Sequence, residues 1–542
     1  MTFMKAPSQG LARPSSALFW VRRAHGDLFR IVRMTFALVH SRALRGLGSP
    51  AVTVEVHLAN GLPSFTLVGL ADTEVRESRE RVRAALQTSG LEFPHNKRVT
   101  VSLAPADLPK ESGRFDLPIA LGILAAAGQI DAARLDAYEF AGELSLAGQL
   151  RPVQGALAMA LALQRTPATT PRTLVLPRTS ADESALVGDL SVRGADHLLD
   201  VVRALLPGAD ADASGLHEPR PMPRRDAPAL HDLVDVRGQS AAKRALEVAA
   251  AGQLSVLMVG PPGTGKSMLA RRLAGLLPPL SHDEALESAA ILSVAGAFSA
   301  ARWGERVLRA PHHTASAAAL VGGGSPPRPG EASLAHRGIL FLDELAEFPR
   351  AALEALREPL ETGRIVVSRA ARQADFPAAF QLVAAMNPCP CGHLGNATTA
   401  CRCTPDAVLR YQGKISGPLL DRIDIQIEVP TVAAAQLAAA ADGEASAVVA
   451  GRVRRARERA LERQGHANGE LAGETLDRHC RLDEAASNFL QRVTTRLGWS
   501  ARSFHRVLRV ARTVADLDGH AAITTAHLGE AIQYRRALGA AG

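Results

Sequence analysis

The sequence predicts a multidomain α/β protein organised around a phosphate-binding core, and three observations carry that reading. At 542 residues the chain is longer than one hydrophobic core can serve, so three or four folded units are expected. A short apolar run, Val256 to Val259, leads into Gly260-Pro261-Pro262-Gly263-Thr264-Gly265-Lys266-Ser267 and then into an Ala- and Leu-rich stretch with helical spacing. A second apolar run, Ile339 to Leu342, ends in Asp343 and Glu344.

Residues 1–33 have no helical or strand period, and Met34 opens the patterned chain, so the first 33 residues are expected to be an extension, disordered or upstream of the true start. From Val52 the pattern Val52, Val54, Val56, Leu58 alternates as a half-buried strand does, Asn60-Gly61 predicts a hairpin turn, and Phe65 and Leu67 suit the returning strand. Glu74 to Leu86 reads as an amphipathic helix and Arg98 to Leu103 as another strand, which makes the first domain, 34–206, α/β. Residues 207–228, rich in Pro, Gly, Ala, Asp and Arg, form a linker. Residues 229–430 hold both phosphate motifs, and 431–542 is Ala-, Arg- and Leu-rich with helical spacing.

Composition excludes several classes. Apolar residues make up 47% and charged residues 21%, ordinary for a globular protein, while 4% aromatics leaves cores of Ala, Leu and Val. There is no run of about 18 uncharged apolar residues to span a bilayer. The N-terminal stretch lacks a secretory h-region and cleavage site, so a cytoplasmic protein with no membrane partner is expected. The net charge is +8, but residues 1–33 hold six basic residues against one acid, which accounts for five of it. Bulk charge is therefore weak support for a nucleic-acid partner.

The eight residues Gly260 to Ser267 complete a Walker A loop in its strand-to-helix context. Its glycines let backbone N–H groups turn inward around phosphates, and the helix N-terminus adds its positive dipole end. Lys266 reaches the terminal phosphates and the Ser267 hydroxyl ligates magnesium. A bare Gly-rich turn would explain the glycines but not the Lys-Ser pair at the helix start. Asp343 would hold the hydrated magnesium and Glu344 would polarise the attacking water. ATP and Mg2+ are the expected cofactors.

At these residues the chain resembles the magnesium-chelatase-like AAA+ ATPases, and most closely the ComM/YifB family, from about Met34 to the C-terminal end. Besides the P-loop and Asp343-Glu344, the resemblance rests on Pro311-His312-His313-Thr314-Ala315-Ser316, Asn387-Pro388-Cys389-Pro390-Cys391-Gly392, Ile415-Ser416-Gly417-Pro418-Leu419-Leu420-Asp421-Arg422, and Ser500-Ala501-Arg502 with His505-Arg506-Val507-Leu508. It implies a P-loop AAA+ core with a parallel sheet and a C-terminal helical lid. Asn387, ending the strand Leu382 to Met386, takes the sensor 1 role. By the same resemblance Arg422 would be the arginine finger and Arg502 resembles sensor 2, with Arg506 the alternative one helical turn later. A finger acts on a neighbour's nucleotide, so a homo-hexameric ring is implied. The bland reading of each arginine is a surface ion pair. The family further implies single-stranded or branched DNA as partner and branch migration in natural transformation. A chelatase-type or protein-remodelling chaperone is the alternative.

Residues 34–206 resemble the Lon-protease-like (ribosomal-S5-domain-2-like) fold through Leu108-Pro109-Lys110-Glu111-Ser112-Gly113 and Gly142-Glu143-Leu144-Ser145-Leu146-Ala147-Gly148. The family's Ser-Lys dyad needs a lysine after the Gly-Glu-Leu strand, and Gly155 to Leu163 has none, so a peptidase is not expected.

Cys389, Cys391, Cys401 and Cys403 form two C-x-C pairs nine residues apart, with Cys480 alone. In a reducing compartment this clustering favours a metal over disulfides, and four thiolates suit structural Zn2+, although the one-residue gaps are tighter than usual zinc pairs. Unmetallated thiols, with His393 as a substitute ligand, are the other reading.

About 60 residues separate the P-loop helix from Asp343, longer than common connections, and they suit a pore loop. Arg364 to Arg372 alternates and turns before the sensor strand, resembling the pre-sensor hairpin of the same branch. Arg369 and Arg372 are candidate DNA phosphate contacts, or else charges on a solvated strand face.

Overall fold

The computed structural model describes residues 35–535 apart from 71, 168–170, 209–214, 221–230, 326, 370–371, 397–398 and 439–442. The expected extension 1–33 and most of the expected linker 207–228 lie outside the described residues. The chain divides into two compact units, Met1–Pro223 and Arg224–Gly542.

In the first unit β1 (Phe36–Arg42), β2 (Ala51–Asn60), β3 (Ser64–Val68) and β4 (Lys97–Ala104) form a sheet in the order β1-β2-β4-β3. Val52, Val54, Val56 and Leu58 are buried, as their alternation predicts. The hairpin expected at Asn60-Gly61 does not form. β2 pairs antiparallel with β1 and β4, and β3 lies beyond β4, parallel to it. The reason is that β4 carries its own alternating set, Val99, Val101 and Leu103, which is buried in the same core and fills the central position. The helix Thr73–Thr88 precedes β4, and the helix Asp116–Ala126 is buried along its whole length, matching a sequence that is apolar on every side after Asp116. Asp116 is satisfied by Arg81 Nε at 2.7 Å and the Leu144 amide at 3.2 Å. A second, parallel sheet joins Tyr138–Phe140, Thr173–Pro177 and Val192–Ala195.

The second unit centres on a five-stranded parallel sheet in the order Leu308–Arg309, Ile339–Leu342, Gln381–Met386, Val256–Val259, Ile425–Glu428. Its central strands read as unbroken apolar runs because both faces are covered. Val256, Met258, Phe341 and Val383 bury on one face with the helix Ser240–Gly252 and the C-terminal helices Ser446–Gln464, Ala501–Asp518 and Thr525–Gln533. Leu257, Leu340, Leu342 and Leu382 bury on the other with Leu345, Phe348 and Leu353. Each such side chain contributes about 1.5–3 kcal/mol of burial. The C-terminal helices thus share one core with the sheet, and Arg463 and Asp516 tie two of them at 2.7 Å. The stretch between the P-loop helix and Asp343 is not a single loop. It holds the helix His282–Val294, started by a Ser281–Glu284 capping box, and the edge strand Leu308–Arg309.

Candidate nucleotide site

The strand order decides what meets at the phosphate loop. Gln381–Met386 lies between the strand that feeds the loop and the strand that ends in the two acids, so the residue after it, Asn387, emerges between them at the carboxyl edge of the sheet. Gly260 leaves its strand where a Cβ would stand 2.2 Å from the Val429 carbonyl oxygen, so only glycine fits. Lys266 opens the helix Lys266–Leu273, and its ammonium donates to the carbonyls of Gly260 at 2.7 Å and Pro261 at 2.8 Å and to Asn387 Oδ1 at 3.3 Å. Burial lowers the Lys266 pKa, and nearby Asp343 opposes that shift.

The Ser267 hydroxyl donates to Asp343 Oδ2 at 2.6 Å, so the two expected magnesium ligands are neighbours. They offer the hard oxygen pair that magnesium takes together with water and phosphate oxygens. Glu344 has a left-handed backbone, φ 54°, unusual outside glycine, and its amide donates to Asp343 Oδ1 at 3.0 Å. His313 Nδ1 lies 3.0 Å from the Glu344 carboxylate at Oε2. A cavity of about 380 Å³ is lined by Pro262 to Met268, Asp343, Glu344, Met386 and Asn387. Walker A, both acids and Asn387 therefore converge.

Arg422 and Arg502 do not join them. Both line a different cavity of about 670 Å³ that shares no lining residue with the phosphate cavity. Arg422 is buried and ion-paired with Glu361, Nη1 donates to the Pro418 carbonyl at 2.6 Å, and Nε is buried without a partner. Arg502 is more exposed and lies 3.9 Å from the same Glu361 carboxylate. Arg506, the alternative to Arg502, is ion-paired with buried Asp424. Asp424 also accepts from the Ser255 amide and hydroxyl at 2.8 and 2.7 Å, which commits Arg506 to the fold.

The four cysteines gather on the chain that follows Asn387. Their sulfurs lie within 4.8 Å of one another, and Cys389 is fully buried. Arg369 and Arg372 face each other across the antiparallel register of Arg364–Arg369 with Arg372–Pro377, at the hairpin tip. Their side chains lie outside the described residues. In the first unit Ser112 Oγ accepts from Arg114 Nε at 3.0 Å, while Lys110 donates to the Pro105 carbonyl.

Sequence reasoning missed three residues here. His313 reaches Glu344 because the strand Leu308–Arg309 pairs with Ile339–Leu340, a long-range contact that the motif Pro311 to Ser316 does not announce. Gln239, at φ 55°, donates to the Pro430 carbonyl at 2.7 Å and to the Thr264 carbonyl at 3.4 Å, buttressing the loop from outside. Glu361 holds both arginines, and nothing in its local sequence distinguishes it.

Comparison with known proteins matches these parts to one group. Residues 54–180 match the family described as subunit ChlI of Mg-chelatase, residues 232–437 match magnesium chelatase, subunit ChlI, and residues 443–535 match its C-terminal family. The chain is 48% identical over 504 residues to the competence protein ComM of Haemophilus influenzae, covering 93% of this chain and 98% of that protein. It is 48% identical over 505 residues to the YifB protein of Escherichia coli, covering 93% and 97%. Similarity to the magnesium-chelatase 38 kDa subunit of Acidiphilium rubrum is 27% over 227 residues, 38% of this chain and 59% of that subunit.

Proposed function

The chain belongs to the ComM/YifB family of magnesium-chelatase-like AAA+ proteins, and from that premise we propose that it is an ATP-hydrolysing ring motor acting on DNA, a branch-migration helicase serving recombination of incoming DNA. The backbone N–H groups of Gly263 to Lys266 and the Lys266 ammonium hold the phosphates, Lys266 giving up its two carbonyl acceptors for phosphate oxygens. Ser267 and Asp343 hold magnesium, which neutralises phosphate charge when bound. Glu344 accepts a proton from the attacking water, and Asn387 orients that water. Arg422, with Arg502 beside it, stabilises charge on the phosphoryl group bound by the neighbouring subunit.

The observation that carries the ring is the separation of Arg422 and Arg502 from the phosphate cavity of their own chain. Arg422 and Arg502 share one carboxylate, Glu361, in a cavity also lined by Glu287, Asp424 and Glu470, and a phosphate that arrives from outside the subunit would compete with Glu361 for the two arginines. A homo-hexamer meets this requirement around a closed ring. The DNA assignment is supported by nearly full-length similarity to a competence protein and by the arginines at the Arg364–Pro377 hairpin. The Lon-like reading of the first unit and the lid reading of the C-terminal helices belong to the same proposal, as does a structural zinc on the four cysteines. The sulfurs of Cys389, Cys391 and Cys401 are 3.4 to 3.7 Å apart and that of Cys403 lies within 4.8 Å of them, a set that fits that ion.

A chelatase-type chaperone is the second reading, favoured by the family descriptions. The chelatase subunit relates to only 38% of this chain, whereas ComM relates to 93%. Strand displacement separates the two. With ATP, the full chain should release a labelled strand from a forked or four-way DNA, and Glu344→Gln should not. A wild-type protein that hydrolyses ATP yet releases no strand removes the helicase assignment.

A further inference from the structure

Beside the phosphate loop, the chain that leaves the sensor strand meets three sulfur atoms almost at once. Cys389 Sγ is 3.4 Å from Cys391 Sγ and 3.7 Å from Cys401 Sγ, and Cys391 and Cys401 are 3.6 Å apart. Disulfide sulfurs would be about 2.05 Å apart. Four thiolates at about 2.3 Å from a tetrahedral zinc stand about 3.8 Å from one another, so the spacing is that of a metal cage. The amides of Leu394 and Cys403 donate to Cys389 and Cys401 sulfurs, each at 3.4 Å, the support a ligating thiolate needs.

The cage touches the nucleotide site. Cys389 is two residues from Asn387. Gly392, directly after the second ligand, has φ +81°, and a Cβ there would stand 2.7 Å from Pro262 Cδ and 3.8 Å from Asn387 Cγ. Its backbone is thus packed against the rim of the phosphate loop. From the other side Gln412 Nε2, at the end of the helix Pro405–Gln412, donates to the Pro388 carbonyl at 2.9 Å. Among the described residues between Cys391 and Cys401 there is no helix or strand to hold the segment. The Gly392 amide donates to the Cys389 carbonyl at 2.9 Å and the Asn396 amide to the His393 carbonyl at 3.1 Å, and the sulfur cluster joins the two cysteine pairs.

We propose that the zinc-loaded four-cysteine centre is a strut for nucleotide binding, pressing Gly392 against Pro262 and fixing the start of the Asn387-Pro388 turn. This rests on the zinc reading above and adds a task to it. The ion takes no part in phosphoryl transfer. It closes a segment whose backbone forms one wall behind the loop, so its loss should weaken ATP binding without altering any residue that contacts ATP.

The test uses the full chain, elemental analysis for zinc, and equilibrium binding of a fluorescent ATP analogue under conditions without turnover. Wild type should carry one zinc per chain. Cys401→Ser with Cys403→Ser should lose zinc and bind the nucleotide at least about 10-fold more weakly. Gly392→Ala keeps all four ligands, and it should retain zinc while binding about 5-fold more weakly, because the added methyl displaces Pro262. Should the serine variant fail to fold, chelator-stripped wild type and Gly392→Ala carry the test. Absence of zinc from wild type overturns both the zinc reading and the strut. Zinc in wild type, with unchanged nucleotide affinity after stripping and in Gly392→Ala, overturns the strut alone.

Discussion

His313 Nδ1 lies 3.0 Å from Glu344 Oε2. The ring belongs to the segment that follows the edge strand, and it stacks on His312, centroids 4.1 Å apart, which in turn shares a hydrogen bond of 2.9 Å with Thr314. The carboxylate proposed to act on water therefore has an imidazole within hydrogen-bond reach, and we take His313 to position it. Glu344→Gln should bind ATP and lose at least about 100-fold in turnover, the scale of a missing general base. His313→Ala should lower kcat about 10-fold with KM changed less than about 2-fold, since aim is lost and phosphate binding is not. Steady-state ATPase kinetics check both, and a His313→Ala protein with wild-type kcat refutes the positioning role.

Arg422 lies in a cavity apart from its own phosphate loop. Arg422→Ala should be inactive alone. Mixed with a Lys266→Ala subunit, which lacks a working loop but keeps Arg422, it should recover part of the activity, measured as ATP turnover against mixing ratio. No recovery at any ratio contradicts action across subunits.

Glu183 in the first unit is pushed up to about 7 by burial. A carboxyl raised in the fold favours its neutral form there, so its contribution is intact below pH 4.5 and is lost as pH rises through about 7. Glu183→Gln should therefore stabilise the first unit at pH 8, by about 1–2 kcal/mol once solvent screening is discounted. That corresponds to about 2–8 °C in melting temperature. At pH 4.5 the substitution should have little effect. Thermal melts at the two pH values check the sign, and equal shifts at both would exclude titration of this group as the cause.

Arg369 and Arg372 are at the hairpin tip. Replacing both with alanine should weaken DNA binding and flatten its dependence on salt, by about 1.5–2 in the log–log slope if each releases one phosphate contact. An unchanged slope would place them away from DNA.

Local patterns were legible wherever the chain itself carries the constraint. The strand Val256–Val259 and the loop after it, the strand ending at Leu342, and the strand ending at Met386 all lie where their apolar runs predict. What pairs with what was not. Asn60-Gly61 reads as a hairpin until β4, more than 30 residues later, takes the neighbouring position. Likewise Glu361 meets Arg422 and Arg502 across more than 60 residues, and His313 meets Glu344 only through the pairing of two strands. A motif fixes its own backbone, whereas sheet order fixes which motifs meet.

In the proposed function, ATP turnover at the Lys266–Asp343–Glu344 site is coupled to DNA. The most direct test is the ATPase rate of the full chain with and without single-stranded, duplex and four-way-junction DNA, at about 50 and 200 mM salt. Several-fold stimulation by single-stranded or branched DNA is expected at low salt, reduced at high salt and absent in Glu344→Gln. A robust basal rate that no DNA changes at either salt concentration would contradict it and assign the engine to another substrate.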